Sequence, residues 1–215
     1  MDRLGELDAL YDEVHAAYRR ADPELVRRRT VPEVLRSRVL LLGQALGRDT
    51  QRLSGLPYCH PPPERPRLSR GGKVLDDFLA MFGYTILAGG SRQYAYHTDL
   101  VHFFPGRRVS GSGDLKPLAQ EIARNRRWFE AEVRLLQPSI VIALGGLAAS
   151  EFLEHYARRR INRLGDVAGI PSRSQVAGFA LQFIAVHHPS GAFQHPSSRE
   201  TYQQAAAHVQ RILAS

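Results

Sequence analysis

The sequence predicts an α/β protein of three α/β/α layers built on a central, mostly parallel four-stranded sheet. Three observations predict it. Apolar runs of strand length alternate along the chain with amphipathic helical stretches, the order of βαβ units. One run, Ile140 to Gly146 (IVIALGG), is apolar at consecutive positions, as a parallel strand covered on both faces must be. Another, Val39 to Leu42, stops at Gly43 and opens into a polar, Gly-punctuated loop that closes on Tyr58, the way a buried strand delivers a binding loop at its carboxyl end. The length of 215 residues, with 43% apolar and 23% charged residues, suits one domain over residues 1–215, residues 1–36 forming a helical extension packed on it.

Taken in order, Leu4, Leu7, Leu10, Tyr11, Val14, Ala17 and Tyr18 recur at helical spacing and predict an opening amphipathic helix against the outside of the sheet. Asp22 to Leu35 is charged and irregular. The first strand is expected over Arg38 to Leu42, followed by the loop from Gly43 to Tyr58. Cys59 to Arg70 holds four prolines, which remove donors and fix φ, so a stiff surface connection is expected. Gly71 and Gly72 then release a helix through Leu75, Phe78, Leu79 and Phe82. Aromatic and β-branched residues predict the second strand over Tyr94 to Val101. The polar segment beyond it, with Arg107, Arg108, Ser110 and Ser112, is long enough to be functional. A helix from Leu118 to Leu136 ends before Pro138, and Ile140 to Gly146 is the third strand. Leu147 to Arg160 is helical, the interrupted stretch to Gly178 is irregular, Phe179 to His188 is the fourth strand, and Arg199 to Leu213 closes the chain as a helix.

The formal net charge is +8, and 27 of the 29 basic residues are Arg, only Lys73 and Lys116 being Lys. Planar guanidinium groups fork onto phosphate oxygens, so a nucleic-acid partner is expected. A single cysteine, Cys59, excludes an internal disulfide and a cysteine cage for zinc or an iron-sulfur cluster. The first twenty residues carry acidic side chains throughout and lack the apolar core of a signal peptide, and no run approaches the ~18 apolar residues of a membrane span. The expectation is a cytoplasmic monomer with no membrane partner. GQALGRDT lacks the Lys and spacing of a Walker loop, GGLAAS is not a GxGxxG, and the adjacent His187 and His188 point to opposite faces of a strand, so neither a nucleotide cofactor nor a metal is expected.

Taken together, the strand ends carry a pattern. Gly43, Gln44, Ala45, Leu46 and Gly47 precede Gly55, Leu56, Pro57 and Tyr58; GGKVLDDFL follows; Thr98 and Asp99 lie on the second strand; LLQPSIVIALGGLAA leads into the third; and His188, Pro189 and Ser190 follow the fourth. In this order the chain resembles the uracil-DNA glycosylase superfamily, and in layout its small bacterial and archaeal members that usually carry an iron-sulfur cluster. In those proteins a GEAPG-like motif, a GxPF segment, a Thr-Asn pair and an HPS motif stand at these places. Three departures matter. The cluster cysteines are missing, Gln44 and Leu46 replace the acidic residue and the Pro of the first motif, and Asp99 replaces the Asn.

The resemblance implies a monofunctional DNA glycosylase of base excision repair that needs no cofactor. Such an enzyme flips a deaminated or damaged base out of DNA, double-stranded or single-stranded, and hydrolyses its N-glycosidic bond among the chromosomal DNA of the cytoplasm. It makes Tyr58 the stacking floor of the base pocket, with Gly43 and Ala45 beside the base. His188 becomes the donor to a base oxygen, and Gln44 the residue facing the sugar and its water. Asp99 is either a base reader or a water ligand, and Asp49 is a substitute carboxylate if its loop folds back. Ser190, Lys73, Arg107 and Arg108 would meet phosphates, and Phe193 would fill the gap left by the base. An amide at Gln44 takes no proton, so the alternative is a catalytically weak or inactive member that binds damaged or single-stranded DNA.

Overall fold

The computed structural model of the protein describes residues 2–61, 66–106, 114–191 and 196–215. Its elements run in chain order from α1 (Arg3–Arg19) to β1 (Val39–Ala45), α2 (Gln51–Ser54), the short β2 (Cys59–His60) and β3 (Arg67–Leu68), and α3 (Arg70–Ala80). After these come the short β4 (Tyr84–Thr85) and β5 (Gln93–Tyr94), then β6 (Tyr96–Val101), α4 (Ala119–Leu136), β7 (Ile140–Leu144), α5 (Gly146–Tyr156), β8 (Ser172–Val176), β9 (Phe179–Val186) and α6 (Pro196–Ala214). The main sheet has the order β6-β1-β7-β9-β8. Its first four strands are parallel, and β8 pairs antiparallel with β9.

The sheet therefore has five strands, where four were expected. The fifth is an edge strand whose sequence, SRSQV, lacks the aromatic and aliphatic density that marks the others. Its turn carries the signal instead. Ala177 and Gly178 both have positive φ, +51° and +89°, as the two central residues of a primed hairpin turn require. β1 also runs further than expected, to Ala45, because it stays in register with β6 through Gly43↔Asp99 and Ala45↔Val101. Gln44 and Ala45 are therefore strand residues. At the other end β9 stops at Val186, so His187 and His188 lie beyond the sheet.

The helices divide between the two faces. α1, α4 and α5 cover one face through Leu7, Tyr11, Phe129, Val133 and Phe152, packed on Leu40, Leu42, Val141 and Phe183. α3 and α6 cover the other through Leu75, Phe78, Tyr202 and Val209, packed on Val39, Leu41, Ile142 and Ile184. Side chains alternate faces along a strand, which is why Val39 to Leu42 divides evenly between the two cores. Full burial of each such aliphatic side chain contributes roughly 1.5–3 kcal/mol. The connections that leave the neighbouring strands β1 and β7 run on opposite faces, through α3 and α5. A sheet that reverses in this way opens a crevice at the carboxyl ends of its central strands. No helix among the described residues is long and apolar enough to cross a membrane.

Candidate functional site

A cleft of about 730 Å³ opens at that crevice, and its lining includes Gln44, Ala45, Tyr58, His97, Asp99, His188 and Ser190. Residues from four separate stretches of sequence meet here. Arg48, Asp49, His60, Arg70 and Lys116 line it too.

The β1 floor is bare by necessity. A Cβ on Gly43 would lie 2.3 Å from Asp99 Oδ1 and 3.0 Å from His97 Nε2, so only glycine lets the two β6 side chains project over it. His97 and Asp99 stand two apart on β6 and share one face. Both are 2% exposed, and Nδ1 of one lies 3.7 Å from Oδ2 of the other. Gln51 lines the cleft too, close to the Asp99 carboxyl. Asp99 Oδ2 and both His97 ring nitrogens have no hydrogen-bond partner among the described residues. Burial pushes the Asp99 carboxyl up to about 7 and holds the His97 ring well below its ordinary value. His97 is therefore neutral, and Asp99 is poised between acid and carboxylate at neutral pH.

His188 is set by its neighbours. The Ser190 backbone N–H points at His188 Nδ1 at 3.3 Å, which makes that nitrogen the acceptor. Burial lowers the basicity of the ring and keeps it neutral. Its proton therefore sits on Nε2, which faces the Tyr58 hydroxyl at 3.3 Å across the cleft. Gly145, with φ +99°, clears room for this histidine, since a Cβ there would lie 3.2 Å from His188 Cβ.

Tyr58 takes a left-handed backbone, φ +56°, at a cost of about 1–2 kcal/mol for a side chain with a Cβ. Gly72 at the start of α3 lets its backbone approach: a Cβ on Gly72 would lie 2.9 Å from Tyr58 O. The Tyr58 ring stands edge-on to His97, with centroids 5.4 Å apart. The loop leading to Tyr58 is braced by the N-terminal segment, where Val26 N–H donates to Arg52 O and Arg52 forks onto Asp22 at 2.5 and 2.6 Å.

Behind β6, on its other face, lies a buried polar cluster. Tyr96 and Thr98 donate to Glu132 of α4, and Arg28 lies 3.8 Å from the same carboxylate and 4.5 Å from the Tyr96 ring centroid. Desolvation works against the Arg28 charge, yet the surrounding Tyr11, Tyr96 and Glu132 raise its basicity overall.

Not every expected residue joins the site in the role foreseen. Asp49 sits at the mouth, 61% exposed and 3.4 Å from Arg48, and its backbone carbonyl meets His60 Nδ1 at 3.0 Å. Lys73 lies exposed one turn into α3 and is not part of the lining, whereas Lys116 and Arg70 are. Arg107, Arg108 and Phe193 lie outside the described residues. The sequence pattern singles out none of Gln51, Arg28, Glu132 and His97 for a role in the site. The i, i+2 spacing to Asp99 was the signal for His97. For Glu132 it was a carboxylate flanked by Phe129, Val133 and Leu136 on the apolar side of its helix.

A three-layer α/β/α protein with a polar cleft at the carboxyl ends of its parallel strands, walled by a histidine, a tyrosine and a buried carboxyl, is the class that fold and site define. Residues 32–213 match the uracil DNA glycosylase superfamily, and the chain belongs to that family. It is similar to a type-4 uracil-DNA glycosylase of Pyrobaculum aerophilum, 24% identical over 140 residues, which is 65% of this chain. The match likewise spans 65% of that relative's length.

Proposed function

We propose that the protein is a DNA glycosylase that hydrolyses the N-glycosidic bond of a flipped-out, altered base. The observation that carries this reading is the neutral His188 held by Ser190 with its Nε2 proton aimed at the Tyr58 side of the cleft. As the bond from base to sugar breaks, the base departs with the electron pair and the sugar becomes cationic. An N–H donor fixed at a base oxygen stabilises charge that exists only in the transition state, typically worth 10²–10³ in rate.

Tyr58 stacks on the extruded base. Asp99, as the neutral acid that its burial favours, accepts from a ring N–H and donates to the neighbouring carbonyl, as the amide of Asn would. Gly43 and Ala45 leave room beside the base. The Gln44 amide holds a water that adds to the sugar cation at C1′, and the proton of that water passes to bulk solvent. No general base is required if bond breaking precedes water addition. Asp49, at the mouth and beside Arg48, belongs to the DNA-facing rim. Ser190, Arg70, Lys116 and Arg48 meet phosphates there, and the net charge of +8 favours a polyanion. The protein acts as a monomer on chromosomal DNA in base excision repair.

Mass-spectrometric detection of released base from oligonucleotides carrying uracil, hypoxanthine or xanthine tests this. Gln44 favours a second reading, a DNA-binding member that has lost catalysis. It predicts salt-sensitive binding with no released base even at enzyme excess.

A further inference from the structure

Uracil offers three polar groups along its reading edge, and the proposed function, on which this inference rests, satisfies them with His188 and Asp99. His97 is then left over. It is 2% exposed, lines the cleft, and has both ring nitrogens without a partner among the described residues. A buried polar ring facing a cleft in this way costs stability unless a ligand or water completes it. Its place is specific: Nε2 and Asp99 Oδ1 both lie over the bare Cα of Gly43, and Nδ1 lies 3.7 Å from Asp99 Oδ2. Whatever Asp99 reads, His97 meets the next polar group on the same edge. In an oxopurine the carbonyl at position 6 is followed directly by the N7 acceptor; in a pyrimidine the corresponding neighbour is an apolar C–H.

We propose that His97 is a specificity-determining residue that donates to N7 and selects an oxopurine over uracil; xanthine keeps a second carbonyl oxygen for His188, and hypoxanthine offers it the ring acceptor N3 in that place. Burial keeps the ring neutral, with one N–H available and no charge to place against the base. The Tyr58 ring edge, 5.4 Å away between centroids, holds His97 from the side.

The test compares release of hypoxanthine, xanthine and uracil from matched oligonucleotides by the wild-type protein and His97→Leu. The wild type is expected to favour the oxopurines. The variant is expected to lose that preference by on the order of 10²-fold in kcat/KM ratio. Equal losses on all bases, an unmoved ratio, or a wild-type preference for uracil would each overturn the role of His97 and leave the glycosylase reading standing. Absence of any base release would end both. Because a buried substitution also risks the fold, inhibition of the unaltered protein by free hypoxanthine and by 7-deazahypoxanthine supplies an independent arm. Loss of N7 is expected to weaken inhibition by at least about tenfold; equal inhibition by the two bases contradicts the proposal.

Discussion

The Asp99 carboxyl occupies the space where a side chain on Gly43 would begin, with Oδ1 2.3 Å from the Cβ position. The two residues are register partners on β1 and β6, so neither can retreat without moving a strand. Gly43→Ala is therefore expected to lower kcat/KM by about 10²-fold and to cost about 1–3 kcal/mol of stability as the crowded site adjusts. Gly165→Ala is the control: nothing lies within 4 Å of its Cβ position, and stability and activity should hold. Base-release kinetics and urea unfolding of both variants check this.

The pH profile should bear the mark of Asp99. Its carboxyl titrates near 7, so the acid form that donates to a base carbonyl prevails below that pH and is lost as pH rises through it. kcat/KM is expected to fall about tenfold per pH unit on the alkaline side. His188, whose basicity burial lowers, is already neutral there and adds no alkaline limb. In Asp99→Asn the amide keeps donor and acceptor at every pH, so activity should persist and the limb near 7 should flatten. A limb that survives in the variant would assign it to another group.

Glu132 and Arg28 hold β6 from behind. Both side chains are largely buried, 1% and 10% exposed, so removing one leaves the other charged without compensation. Arg28→Met is expected to destabilise by about 3–5 kcal/mol, and Arg28→Met with Glu132→Gln by less than the sum of the single changes. Equilibrium unfolding of the four proteins of this cycle measures it. Additive losses would mean that the pair does not act as a unit.

The Asp22–Arg52 fork ties the N-terminal segment to the loop that ends at Tyr58. Both side chains are mostly covered, at 18% and 15% exposure. Arg52→Ala is expected to raise KM for DNA with a smaller change in kcat, because it loosens the approach to Tyr58 and leaves His188 in place. A fall in kcat at constant KM would show that the brace acts on the chemistry instead.

How much was readable beforehand follows from where the signal resides. The parallel strands declared themselves because burial on both faces demands unbroken apolar runs such as Val39–Leu42 and Ile140–Leu144. The edge strand β8 did not, because one face and one edge meet solvent and residues such as Arg173 and Gln175 suffice. Gly43, Tyr58, Asp99 and His188 were legible as strand ends with matching punctuation. Gln51 and Arg28 were not, since both sit in irregular polar stretches and reach the site or its back wall only through tertiary packing. Asp49 shows the limit of loop reasoning: five residues from Gln44 in sequence, it turns outward to Arg48.

Base release by the wild-type protein and by His188→Ala, measured by mass spectrometry on the same altered-base oligonucleotides, tests the role of His188 most directly, with DNA affinity measured alongside. Base release by the wild type is expected, with a loss of about 10²–10³-fold in kcat for the variant and little change in affinity. Undiminished release by His188→Ala, or no release by the wild-type protein at enzyme excess, would contradict that role.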